Sequence, residues 1–172
     1  MSAPVLNVRY VSRAIVAADD LFAQVTRIHW DSRMRAWRTA SFGRPYNYSG
    51  QVYPAVEMPD SVASIAEVAG QHAGHSFDNC LCNLYETGDH RMGFHTDSYE
   101  SLEPSSWIAI ASLGATRSLV FRSFDRAYQR SFVLEHGSIV LMDAATQLGW
   151  QHAVPRQPGA GTRISLTFRR FA

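Results

Sequence analysis

From Phe77 onward the chain becomes a succession of short apolar runs, each cut off by Gly, Pro, Asp or Ser. Segments 77–86, 107–113, 117–123, 130–135, 138–142 and 163–169 all have the length and residue types of β-strands, and the turn residues between them forbid long helices there. Upstream, residues 5–11, VLNVRYV, alternate loosely and predict a first strand. Asp19 and Asp20 stand where they can cap a helix over about Leu21 to His29. Asp60 or Ser61 opens a second helix, with Val62, Ile65, Ala66, Val68 and Ala69 as its apolar stripe and Gly70 and Gly74 marking its end. Residues 33–53 are polar and aromatic, with Gly43, Pro45 and Gly50, and predict short strands joined by turns. Helices first and strands after predict an α+β, mainly β architecture, with two helices packed on one face of a largely antiparallel, sandwich-like core.

A length of 172 residues suits one domain spanning 1–172, and a hydrophobic fraction of 46% is enough for a packed core. Residues 155–162, PRQPGAGT, read as a surface loop, not a domain boundary. No stretch approaches the roughly 18 to 20 apolar residues that span a bilayer. MSAPVLNVRY lacks a basic region followed by an apolar run, so the expected location is the cytoplasm. The two cysteines, Cys80 and Cys82, share one face of a predicted strand and are expected to be reduced core residues.

A net charge of +1 argues neither for nor against a polyanionic partner, but its distribution says more. Every Lys or Arg is Arg, and Arg27, Arg33, Arg35, Arg38 and Arg44 crowd a segment whose one acid is Asp31. Trp30, Trp37, Phe42, Tyr46 and Tyr48 are interleaved with them. Such a stretch offers charge for phosphates and rings for bases. It also fits a strand pair with a solvated arginine face.

The chemistry begins at His95-Thr96-Asp97. An HxD on extended backbone puts both side chains on one face, where they can take adjacent positions on one metal. A distal histidine must complete the set, from His29, His72, His75, His90, His136 and His152. His152 lies just before the last strand, near the end of the β core. Two histidines and one carboxylate make the facial triad of non-haem Fe(II) oxygenases, which leaves positions open for cosubstrate and dioxygen. The last strand, RISLTFR, puts Arg163, Ser165, Thr167 and Arg169 on one face and Ile164, Leu166 and Phe168 on the other. Two arginines on one strand face are costly if buried unpaired, so they invite a dianion such as a dicarboxylate. Asn83 and Tyr85 share a strand face in the same way.

In order, NLYETGDHRMGFHTD, IAIASLGATRSLVFR, LEHGSIVLMD, WQHAVP and RISLTFR resemble the AlkB family of 2-oxoglutarate-dependent dioxygenases, over about residues 40 to 170. The resemblance implies a double-stranded β-helix, or jelly roll, with N-terminal helices, a substrate lid at about 33–53 and a catalytic core at about 77–172. It implies Fe(II) on His95, Asp97 and His152, with these three as the catalytic centre. It implies 2-oxoglutarate against Asn83, Tyr85, Arg163, Ser165 and Arg169, and dioxygen as co-oxidant. The function it implies is oxidative dealkylation of N-alkylated bases in DNA or RNA, a repair reaction that releases succinate, carbon dioxide and an aldehyde. Tyr48, in YNYSG, matches the family's base-stacking aromatic, and base chemistry needs an extruded base. Arg35 and Arg38 are expected at the phosphates.

One position departs from the family. Repair members follow HxD with acidic residues that approach the damaged base, whereas Asp97 here is followed by Ser98 and Tyr99, and acid returns at Glu100. Ser98 and Tyr99 are the expected substrate contacts in their place. The departure keeps a second reading open, a 2-oxoglutarate-dependent hydroxylase of a small molecule or protein on the same core. A third is a non-catalytic jelly-roll binding module. A monomer with no membrane partner is expected.

Overall fold

The computed structural model describes residues 4–33, 37–46, 50 and 53–172. Its strands are β1 (Val8–Val11), β2 (Arg38–Gly43), β3 (Asn79–Tyr85), β4 (Met92–His95), β5 (Trp107–Gly114), β6 (Arg117–Ser123), β7 (Gln129–Leu134), β8 (Ser138–Asp143), β9 (Trp150–Val154) and β10 (Arg163–Arg169). Helices α1 (Ala18–Thr26) and α2 (Asp60–Ala73) precede most of them. All the pairings are antiparallel, in a six-stranded sheet ordered β1-β8-β5-β10-β3-β2 and a four-stranded sheet ordered β4-β9-β6-β7. The expected mainly-β architecture with two helices on one sheet is what the chain forms: both helices lie against the large sheet, over β5 and β10.

Two cores follow from strand parity. On the helix side, Val25, Val62, Ile65 and Ala69 pack on Cys80, Cys82, Leu84, Ile164, Leu166 and Phe168. Between the sheets, Tyr85, Met92, Ile110, Leu119, Phe121 and Trp150 pack together. Strands β3 and β10 are therefore covered on both faces, and every residue in each is buried. The two thiols are free and buried on the helix side, with Sγ atoms 3.6 Å apart, as expected for reduced core cysteines.

The helix ends differ from expectation. Asp19 and Asp20 lie inside the first turn of α1; the N-cap is Ala17, with no side-chain cap. Their carboxylates can still favour the N-terminal end of the helix dipole. The helix starts at Ala18 and stops at Thr26, a register set by Ala18 and Val25 reaching the core. Helix α2 ends as expected at Gly74, whose φ of 77° is left-handed and whose N–H donates to the Gly70 carbonyl at 2.8 Å. That conformation costs a side-chain-bearing residue about 1–2 kcal/mol.

Candidate metal centre and cosubstrate pocket

Strands β4 and β9 bring the first two groups together. His95 and His152 are cross-strand partners, with ring centroids 4.3 Å apart. The register of β4 shifts between Met92 and His95, and both residues line the space between the sheets. Asp97 follows two residues on and is buried. One donor atom from each of His95, Asp97 and His152 lies within 4.8 Å of the others.

Hydrogen bonds fix these groups. His95 Nδ1 lies 2.9 Å from the Gly93 carbonyl and so carries the proton, which leaves the Nε2 lone pair for a metal. Asp97 Oδ1 accepts from Arg169 Nη2 at 2.8 Å, in an ion pair almost without solvent contact. The Asp97 N–H donates to Gln147 Oε1 at 2.9 Å. Gln147 lies on a 3-10 turn over Ala144–Leu148. Among the described residues, Asp97 Oδ2 and His152 Nδ1 are buried with no hydrogen-bond partner.

Electrostatics set the protonation states. Burial pushes the Asp97 carboxyl up, but the Arg169 guanidinium and the nearby His152 and His95 outweigh it and hold the carboxyl at about 2. Burial, reinforced by His95, pushes His152 down to about 3 against the attraction of Asp97. At neutral pH the centre therefore holds a carboxylate and a neutral imidazole at His152. An orphaned carboxylate oxygen beside two imidazole nitrogens fits a divalent ion such as Fe(II).

The β10 row extends from this centre. Arg163, Ser165, Thr167 and Arg169 line the same interior space as Asn83 and Tyr85. Register pairs Arg163 with Tyr85 and Ser165 with Asn83 across β3. Arg163 is 1% exposed and donates from Nη2 to Ser112 Oγ at 3.0 Å, while its Nε and Nη1 have no hydrogen-bond partner among the described residues. Burial pulls its pKa down, to about 10, which leaves it charged at neutral pH. A buried guanidinium with two nitrogens lacking a hydrogen-bond partner among the described residues fits a carboxylate.

The expected substrate contacts do not all gather here. Ser98 is exposed and lines a polar groove with Tyr46, Arg44 and Glu100. Tyr99 is half-buried and packs on the inter-sheet core. Arg38 heads β2 and pairs with Glu86 at 3.2 Å. Tyr48 and Arg35 lie outside the described residues. Two contributors lie outside the expected set of site residues, Gln147 and Tyr46, the second expected only as one of the aromatics interleaved with the arginines. Gln147 sits in ATQLGWQH with no local signal of its role. Tyr46 stacks on Phe171 at 5.6 Å and lies under the Arg169 guanidinium, 4.4 Å from its ring.

An antiparallel double sheet holding two histidines and one carboxylate between its layers defines a non-haem iron type of site. The description of the 2OG-Fe(II) oxygenase superfamily matches residues 20–169, and the chain belongs to that family. Its cofactors are thus Fe(II), 2-oxoglutarate and dioxygen. Among curated relatives, "Alpha-ketoglutarate-dependent dioxygenase alkB homolog 3" of Bos taurus is 32% identical over 174 residues, covering 88% of this chain and 61% of that protein. "DNA oxidative demethylase ALKBH2" of Mus musculus is 33% identical over 156 residues, covering 83% of this chain and 64% of that protein. The chain thus spans less than two thirds of the length of these relatives. The solved structure of OsALKBH1 superposes with a TM-score of 0.69 at 17% identity, covering 98% of this chain and all of that one, and the fold is consistent with a jelly-roll oxygenase core. No helix among the described residues is long and apolar enough to cross a membrane.

Proposed function

We propose that this chain removes alkyl groups from base nitrogens of DNA or RNA, with His95, Asp97 and His152 holding Fe(II) and Arg163 receiving the distal carboxylate of 2-oxoglutarate. The observation that carries this reading is the orphaned Asp97 oxygen beside two histidines, in the same interior space as a buried arginine with two nitrogens lacking a hydrogen-bond partner among the described residues. Bound iron with its cosubstrate and dioxygen oxidises a C–H bond, and an N-alkyl carbon so hydroxylated departs as an aldehyde while 2-oxoglutarate becomes succinate and carbon dioxide.

The residues of the chain position these parts. Arg169 holds the Asp97 carboxylate ionised and aimed inward, and the Gly93 carbonyl holds the His95 ring. Asn83, Tyr85 and Ser165 line the cosubstrate space with Arg163. The groove of Arg44, Tyr46, Ser98 and Glu100 would admit the substrate, under a lid of about residues 33–53 that includes Tyr48, Arg35 and Arg38. Residues 77–172 would form the catalytic core of a single domain. The names of the curated relatives, a dioxygenase and a DNA oxidative demethylase, support nucleic acid as substrate. The protein would act as a monomer in the cytoplasm.

The test is incubation of anaerobically purified protein with Fe(II), ascorbate and 2-oxoglutarate, then air, with and without a methylated oligonucleotide. Oligonucleotide-dependent formaldehyde together with succinate supports the reading. Succinate alone favours hydroxylation of a small molecule or protein, an alternative supported by Ser98 and Tyr99 standing after Asp97. Neither product from iron-loaded protein overturns both.

A further inference from the structure

Arg117 opens β6 and has no solvent-exposed surface. Its guanidinium gathers three backbone carbonyls from two loops. Nη1 donates to Thr87 O at 3.4 Å, and Nη2 donates to His90 O at 2.8 Å and Pro155 O at 2.7 Å. Its Nε is buried with no partner among the described residues. None of its acceptors is a carboxylate, and among the described residues neither Arg117 nor Arg163 forms a salt bridge. Both flank one ring: the Arg117 guanidinium carbon is 5.5 Å from the Tyr85 centroid and that of Arg163 is 5.4 Å from it.

Two buried cations sharing a neutral phenol are an unfavourable arrangement by themselves, because each must be desolvated and each repels the other. Burial pulls the Arg163 pKa down, Tyr85 opposes it, and the nearby Arg117 charge pulls the same way as burial. Burial also raises the Tyr85 pKa, so the phenol is neutral at neutral pH and brings no full negative charge to the pair. A bound dianion would relieve the repulsion. Carbonyl clamping alone does not require Arg at this place, since a neutral donor could bridge backbone carbonyls without the cost of burying a charge.

We propose that Arg117 is a positioning residue of the cosubstrate pocket: through Tyr85 and Arg163 it adds a second, non-contacting positive charge that selects 2-oxo acids bearing a distal carboxylate over those without one. This rests on the reading that Arg163 receives that carboxylate. A unit charge roughly 10 Å from an anion, in an interior of effective dielectric about 20, is worth on the order of tenfold in binding.

The experiment is equilibrium binding by calorimetry to Mn(II)-loaded protein without oxygen. The probes are 2-oxoglutarate and 2-oxopentanoate, which has the same carbon chain and lacks the distal carboxylate. In Arg117→Met the Kd for 2-oxoglutarate is expected to rise about tenfold, while that for 2-oxopentanoate changes less than threefold. Arg117→Lys, which keeps the charge and loses the planar clamp, should hold 2-oxoglutarate within threefold of the wild type. Equal weakening of both probes in Arg117→Met, or an Arg117→Lys variant as poor as Arg117→Met, would mean a merely structural clamp and overturn the proposal. Should Arg117→Met fail to fold, Arg117→Gln keeps donors for the carbonyls and carries the same comparison. Arg163→Met separates the two levels. If it abolishes the preference for the dicarboxylate and Arg117→Met does not, the pocket reading stands and the role of Arg117 falls. If Arg163→Met leaves the preference intact, the pocket reading falls first.

Discussion

Replacing Arg169 by Met tests the central electrostatic claim, that one arginine keeps the buried Asp97 ionised. Asp97 and Arg169 are almost without solvent contact and meet at 2.8 Å. With the folded carboxyl at about 2 and an unfolded value near 3.9, the net stabilisation at neutral pH is on the order of 2–3 kcal/mol. Removing the arginine leaves the burial cost with less compensation, so the loss should approach the roughly 3–5 kcal/mol seen when one partner of a buried pair is deleted. In a chain of this size that is a fall in Tm on the order of 10 °C. The sign of the pH dependence follows from the depressed value. The stabilisation is full above the unfolded pKa near 3.9 and disappears as pH falls through about 2. Calorimetric and urea unfolding of chelator-treated protein should therefore show the gap between wild type and Arg169→Met closing as pH falls to about 2, beginning above about pH 4 because burial raises the Asp97 carboxyl in the variant. Adding Asp97→Asn to Arg169→Met should recover about 2 kcal/mol, because the unpaired charge is gone. A loss below about 1 kcal/mol, or a double variant no more stable than the single one, would refute the reasoning.

Three other outcomes follow from local geometry. A Cβ on Gly88 would fall 1.8 Å from the Gln157 carbonyl oxygen, so Gly88→Ala should cost 2 kcal/mol or more by urea titration, in line with roughly 1–3 kcal/mol for overpacking. Arg126 holds a left-handed φ of 62° in the exposed β6–β7 turn; Arg126→Gly should raise stability by about 0.5–1 kcal/mol in the same assay. Both cysteines are buried, and burial with the neighbouring Cys82 thiol pushes Cys80 well above the ordinary thiol range; a thiol reagent should titrate neither in native protein and both in denaturant.

Where the sequence was legible, parity explains it. In RISLTFR a polar row alternates with an apolar row, and the folded strand places Ile164, Leu166 and Phe168 against the helices and Arg163, Ser165, Thr167 and Arg169 toward the site. His95, Asp97 and His152 come together in the folded chain, but spacing left six histidines open for the third place, and the arginine-bearing last strand and the family resemblance are what single out His152. Strands β4 and β9 were harder to see. MGFH has a shifted register and a glycine, and WQHAV mixes polar and apolar residues without strict alternation. Both hold site histidines, so their local pattern answers to the metal centre before it answers to the sheet. Helix α1 slipped by three residues because Asp19 and Asp20 look like caps, whereas the burial of Ala18 and Val25 decides where the helix begins.

The arginines show what alternation cannot reveal. Arg163 and Arg169 sit on one strand face, and the sequence assigns both to one dianion. In the folded chain their environments differ. Arg169 is paired with Asp97 and covers the ring of Tyr46, so its charge is matched within the protein. Arg163 meets the Ser112 hydroxyl and the Tyr85 ring, and among the described residues it has no carboxylate partner. Arg117, on β6 and invisible to any pattern on β10, is buried 5.5 Å from the Tyr85 ring, and its acceptors are backbone carbonyls. Charge balance thus divides the pocket: neutralised toward Asp97 and cationic toward Tyr85. On the proposed function, a ligand anionic at its far end would be favoured there, and its orientation would follow from which arginine already has a partner.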